Sequence, residues 1–174
     1  MYKEIDGDLI ALAKQGLFDI IVHGCNCFCR MKRGIAPQMA KAFGCDRFPL
    51  EDEQYEGDIN KLGQIDIQNI TFHKFTFYVV NAYTQYNWDT KTKPFDYDAF
   101  RLCMRKLNHE FKGNHIGMPK IGSHLAGGIW DGTDEDELSS HSREIFRQSG
   151  LIDIKTIIQQ ELKDCNVTVV IYKP

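Results

Sequence analysis

The residues able to do chemistry gather between Ile20 and Gly44, in the stretch IIVHGCNCFCRMKRGIAPQMAKAFG. His23 is an imidazole that titrates near neutrality and can give or take a proton. Asn26 offers both a donor and an acceptor on one short side chain. Arg30, Lys32 and Arg33 follow, and an arginine can grip an anionic group through two parallel hydrogen bonds. The same three charges are equally consistent with a solvated loop. Gly34-Ile35-Ala36-Pro37 then reads as the start of a helix, because proline suits a first helical turn. A glycine loop running into a helix N-terminus turns free backbone N–H groups towards an anion. A second glycine-bearing loop lies at Gly122–Gly128 and carries Ser123 and His124.

These residues need elements to hold them. Tyr2–Ile5 reads as a short strand, and Leu9, Ile10, Leu12 and Ala13 have helical spacing up to Gly16. Phe18–Val22 is apolar without alternation, the pattern of a strand buried on both faces. A helix is expected over Ile35–Phe43, stopped at Gly44. Pro49–Glu56 reads as a short helix or irregular loop. Leu62–Ile67 alternates as a strand, and FTFYVVN at Phe75–Asn81 is the strongest strand in the chain. It exits into Ala82–Tyr86, a second polar strand end. Helical spacing returns over Tyr97–Phe111, and Ile116–Met118 is a short strand. Ile154, Ile157, Ile158 and Leu162 mark a last helix, and Val167–Tyr172 a last strand. Alternating strands and helices predict a three-layer α/β/α sandwich with a mixed, mostly parallel sheet. One domain over residues 1–174 is expected, with 131–152 as an acidic surface insertion holding an extra helix near Glu137–Gln148.

A formal net charge of −3 gives no broad basic surface, so a nucleic-acid partner is not expected. No apolar run reaches the length of a membrane span, and MYKEIDGDL lacks a signal-peptide core, so a cytoplasmic, non-membrane protein is expected. Cys25, Cys27 and Cys29 alternate, which raises the question of a metal. Structural zinc sites pair their ligands as C-x2-C with a second pair elsewhere, and none is present, so buried reduced thiols are preferred.

In a parallel sheet, loops that follow strands share one edge, so the loops at Gly24–Gly34 and Gly122–Gly128 can close on one ligand. A diphosphate would take backbone N–H groups from both. Asp8 suits an exocyclic amine and Asn26 a ribose hydroxyl. Together, DGDL at Asp6–Leu9, IIVHGCNCFCRMKRGIA, NAYTQY, MPKIGSHLAGGIW and the VTVVIY strand resemble a macro domain over nearly the whole chain. The exit Ile21-Val22-His23-Gly24-Cys25-Asn26-Cys27 looks most like the branch of yeast-type ADP-ribose-1''-phosphate phosphatases and their bacterial and phage relatives.

The resemblance implies an ADP-ribose cleft at the C-terminal edge of the sheet. It assigns Asp8 to the adenine amine, Leu9 to a neighbouring backbone contact, and Asn26 to the distal ribose. Gly34, Ile35 and Ala36 would form the first phosphate loop, and Ser123, His124, Leu125, Ala126 and Gly127 the second. Tyr172 would flank the adenine. Apart from the resemblance, Arg30 and Arg33 have the chemistry to clamp a terminal phosphate and are equally consistent with solvated loop charges. The implied reaction releases phosphate from ADP-ribose 1''-phosphate, with His23 and Asn26 as the catalytic pair and no cofactor. His23 has a second reading, a strand-end residue that only orients the loop. A monomer is expected, and the alternatives are a non-catalytic module that binds or sequesters ADP-ribose or a related nucleotide and a de-ADP-ribosylating or deacylating hydrolase. The related glycohydrolases use a lysine and an aspartate. Ala126 stands at the aspartate position and no lysine lies in Val80–Trp88, so that chemistry is not expected.

Overall fold

Six strands build one mixed sheet in the order β1-β6-β5-β2-β4-β3. A computed structural model describes residues 1–47, 56–133 and 139–173. The strands are β1 (Tyr2–Asp6), β2 (Ile20–Asn26), β3 (Ile65–Phe72), β4 (Phe75–Gln85), β5 (His115–Met118) and β6 (Asn166–Ile171). Every neighbouring pair is parallel except β3 with β4. The helices are α1 (Leu9–Lys14), α2 (Ala36–Phe43), α3 (Tyr97–Glu110), α4 (Ser140–Ser149) and α5 (Ile154–Glu161).

Strand β2 explains the layering. Ile20, Ile21 and Val22 are all fully buried, but successive side chains leave opposite faces. Ile20 and Val22 join the core formed with Phe100, Met104 and Leu107 of α3 and Ile157 and Ile158 of α5. Ile21 joins the other core, with Ala13 of α1 and Met39 and Phe43 of α2. Burying each such side chain contributes about 1.5–3 kcal/mol. The result is the expected three-layer sandwich.

Capping residues fix where several helices begin. Asp8, Asp96, Ser139 and Asp153 each accept a hydrogen bond from a backbone N–H of the first turn of α1, α3, α4 and α5. Each cap is worth about 1 kcal/mol. Helix α2 has no side-chain cap at Ile35 and carries Pro37 in its first turn, so the backbone donors at its N-terminus have no side-chain cap.

Some expectations shift. Strand β2 begins at Ile20 rather than Phe18, whose ring instead packs edge-on against His115 at 5.0 Å. Strand β4 continues past Asn81 to Gln85, because it is paired with β2 on one side and β3 on the other as far as Ala82. Strand β3 likewise extends beyond Ile67 to Phe72, since the tight turn at His73 (φ 53) pairs it with β4 along its length. The segment Pro49–Glu56 lies, apart from Glu56, outside the described residues. Within the acidic stretch, α4 buries none of its residues. Among the described residues, no helix is long and apolar enough to cross a membrane.

Candidate ligand-binding site

A cleft of about 720 Å³ opens at the C-terminal edge of the parallel strands. Its walls are the exits of β1, β2, β4, β5 and β6, which the sheet order sets side by side. One end holds Asp8, Leu9, Ile171 and Tyr172, and the other holds Arg30, Arg33, Trp88 and Thr90. Between them lie the loop before α2 and the loop after β5. The volume falls in the range that encloses a ligand of several rings.

At the first end, Asp8 spends one carboxylate oxygen on the α1 cap, accepting from Ala11 N at 3.0 Å. Among the described residues its second oxygen has no such duty. Tyr172 is 69% exposed there, which leaves a ring face free for stacking.

The first loop is organised by Asn26. Its Oδ1 accepts from Phe28 N at 3.1 Å and Arg30 N at 3.2 Å, while its Nδ2 donates to Arg30 O at 3.0 Å. The side chain therefore folds the loop around itself and lines the cleft at the same time. Arg30 lies 3.8 Å from the centroid of the Trp88 ring and 3.9 Å from Glu56. Arg33 donates to Thr90 Oγ1 at 2.9 Å. Gly34 has φ 62, and a side chain there would meet nothing within 4 Å. The conformation favours glycine, and the space beside it is open to a ligand. Ile35 and Ala36 continue the same wall into α2.

The second loop closes on itself. Ser123 bridges to Gly128, Gly128 N donates to Gly122 O at 2.9 Å, and Ser123 Oγ donates to Lys120 O at 2.8 Å. Phe95 N donates to Ala126 O at 3.1 Å and ties the loop to α3. His124–Ala126 form a single 3-10 turn. Ser123, Leu125 and Ala126 line the cleft. At Gly127, which has φ 79, a Cβ would lie 2.6 Å from the Lys93 side chain.

His23 corrects an expectation. It is fully buried beneath the cleft and is not part of its lining. Its Nε2 lies 2.7 Å from Asn81 Oδ1 and 3.6 Å from both Cys25 Sγ and Cys45 Sγ. Asn81 Nδ2 donates to Cys45 O at 2.8 Å, so its Oδ1 is the acceptor and His23 carries its proton on Nε2. Burial pushes the His23 pKa down to about 4, only partly opposed by the Asn81 hydrogen bond. The imidazole is neutral at physiological pH and lies outside the cleft lining.

The alternating cysteines go separate ways. Cys25 packs on His23, Cys27 is fully buried, and Cys29, in a left-handed turn at φ 52, reaches the cleft wall. Cys29 Sγ lies 3.5 Å from Tyr83 OH, which donates to Asp66 Oδ2, and 3.9 Å from the buried ammonium of Lys61. Burial raises its pKa against the opposing pull of Tyr83 and Lys61, which keeps it a thiol. Among the described residues, no three His, Cys, Asp or Glu side chains converge to hold a metal.

The cleft also takes in Thr84, Gln85, Trp88, Thr90 and Lys120, to which the sequence assigned no role. The one available signal was NAYTQY, whose polar residues follow the strongest strand.

This architecture is the macrodomain fold. The chain superposes on the macrodomain of Thermus aquaticus DarG over all of its length and 99% of that chain, with TM-score 0.60 and 18% identity. It also matches a Bacteroides thetaiotaomicron protein over 98% of its length and 99% of that chain, with TM-score 0.64 and 23% identity. The Thermosipho africanus DarTG structure, solved in complex with ADP-ribose, matches over 99% of this chain and 41% of its own, with TM-score 0.63 and 13% identity. No model of a known protein family matches the chain. In sequence it is 38% identical over 136 residues to an uncharacterised 17.5 kDa protein from the tk-vs intergenic region of Enterobacteria phage T4, covering 74% of this chain and 83% of that one. The chain belongs to the same family as that phage protein.

Proposed function

We propose that this protein binds ADP-ribose, and that its preferred ligand carries a further phosphate on the distal ribose. The observation that carries the reading is the polarity of the cleft. A carboxylate and an exposed tyrosine stand at one end, a helix N-terminus and glycine loop in the middle, and two arginines at the other. An adenine with its exocyclic amine fits the Asp8 and Tyr172 end. A diphosphate fits the N-terminus of α2 and the backbone between Gly34 and Ala36, with Ser123–Gly127 opposite. A terminal phosphate fits the cations of the first loop, where two guanidinium groups allow paired hydrogen bonds. The ADP-ribose held by the T. africanus protein of the same fold supports the ligand class.

Those cations favour a second reading, hydrolysis of ADP-ribose 1''-phosphate. Phosphoryl transfer asks mainly for positioning and charge stabilisation, and Arg30, Lys32 and Arg33 supply the charge. Water attacks phosphorus, the bond to the ribose oxygen breaks, and that oxygen takes a proton. His23 does not supply the base, so in this reading Asn26 acts by holding the loop and the distal ribose.

The test has two stages. Calorimetric titration should show saturable binding of ADP-ribose and tighter binding of its 1''-phosphate. Phosphate release without added metal, lost in Asn26→Ala, supports hydrolysis. Binding without release leaves a reader or sequestering protein, and no binding of either ligand rejects both readings.

A further inference from the structure

We propose that the hydroxyl of Thr84 is a ligand-binding group on the floor of the cleft, donating a hydrogen bond to an oxygen of the bound diphosphate or distal ribose. The proposal rests on the ADP-ribose reading above.

Three observations converge on this side chain. Strands β2 and β4 pair in register up to Cys25 with Tyr83, and then Asn26 pairs with Gln85. Thr84 is the extra residue, so it sits in a bulge. Bulges beside sites re-aim a side chain that regular pairing would fix elsewhere. Its carbonyl accepts from Asp96 N at 2.9 Å, which fastens the bulge to the start of α3. Second, Thr84 is only 1% exposed, and among the described residues its Oγ1 has no hydrogen-bond partner. Buried hydroxyls nearly always have one, so a bare one needs an explanation. Third, Thr84 lines the cleft, beside a place where the chain omits a side chain. A Cβ at Gly24 would lie 3.1 Å from Thr84 Oγ1 and 2.8 Å from Ile121 Cγ2. Any larger residue at position 24 would crowd the hydroxyl, whereas glycine leaves the space beside it free of a side chain.

A hydroxyl that is unsatisfied in the free protein and satisfied in the complex makes an unusual prediction. Thr84→Val keeps the shape and the strand preference of threonine but removes the oxygen. Removing a buried polar atom that has no partner should leave the thermal stability of the free protein unchanged or raise it. Affinity for ADP-ribose should fall about tenfold, the worth of one hydrogen bond to a charged oxygen. Thr84→Ser should bind within about twofold of the parent. Titrating ADP as well identifies the oxygen. A valine penalty on both ligands assigns a phosphate oxygen, and a penalty on ADP-ribose alone assigns the distal ribose.

Two results would overturn the proposal. One is equal ADP-ribose affinity in the parent and Thr84→Val. The other is a valine variant of clearly lower melting temperature, which would make the hydroxyl a structural group. Failure of the parent protein to bind ADP-ribose would instead overturn the functional reading beneath it, and the two failures are distinguishable.

Discussion

The two loops that face each other across the cleft use glycine for opposite reasons. In the first loop, Gly34 has a positive φ and open space beside it. In the second, Gly122 also has a positive φ, but a Cβ there would lie 2.1 Å from the Phe95 ring. Gly128 is crowded by the same ring at 2.7 Å. The second loop is shaped by packing against its own protein, and its backbone hydrogen bonds close on themselves. The first is held by one asparagine and leaves its helix N-terminus bare. A ligand therefore meets a preformed frame on one side and an adaptable, cationic grip on the other. Preformed frames bind without paying again to order themselves.

Breaking this contrast should have its largest effect at Gly122. Gly122→Ala places a methyl group inside an aromatic ring and strains the backbone, and should cost about 3 kcal/mol in chemical denaturation. Loss of less than about 1 kcal/mol would show that the second loop can give way.

The next effect concerns the support beneath the first loop. His23 titrates near 6.5 when unfolded and is held down to about 4 when folded. Below 6.5 the unfolded chain binds a proton that the folded chain refuses, so stability falls as pH drops. The loss accumulates between about pH 6.5 and 4 and reaches about 3 kcal/mol. Above pH 6.5 this contribution is flat. Denaturation curves across that range should lose this slope in His23→Gln, measured against the parent protein.

Asn26→Ala removes three hydrogen bonds that fold the first loop and should cost about 2 kcal/mol of stability. It should also weaken ADP-ribose binding by tenfold or more, because the loop that carries the cations loses its clip. Gly34→Ala is the sharper probe of the comparison. It meets no atom, so its stability cost should be about 1 kcal/mol, from backbone strain alone. Its main effect should be on affinity, the reverse of Gly122→Ala. Arg33→Ala should be the mildest for folding, since the side chain is exposed and, among the described residues, bonded to Thr90 alone. It should weaken the 1''-phosphate ligand several-fold more than ADP-ribose, with a shallower salt dependence than the parent because Arg30 and Lys32 remain.

Much of this was legible in the chain itself. The apolar run at Ile20–Val22 specified a strand buried on both faces, and Gly34–Pro37 specified a helix start. Asp8, Asn26 and the two loops do meet in one cleft. The burial of His23 was not legible because residue type does not say which way a strand-end side chain points. That direction comes from pairing with β4, where Asn81 lies opposite His23. Thr84 was invisible for a related reason, since a one-residue bulge between two strands leaves no mark on either sequence. In each case the missing information was long-range register, which local patterning does not contain.

Amide chemical-shift mapping of the isotope-labelled protein during titration with ADP-ribose tests the central claim most directly. The account predicts saturable shifts at Asp8 and Leu9, at Gly34–Ala36 and at Ser123–Gly127 together, the three walls of one cleft. Shifts confined to one wall, or centred on α4 or the far end of the sheet, would contradict it.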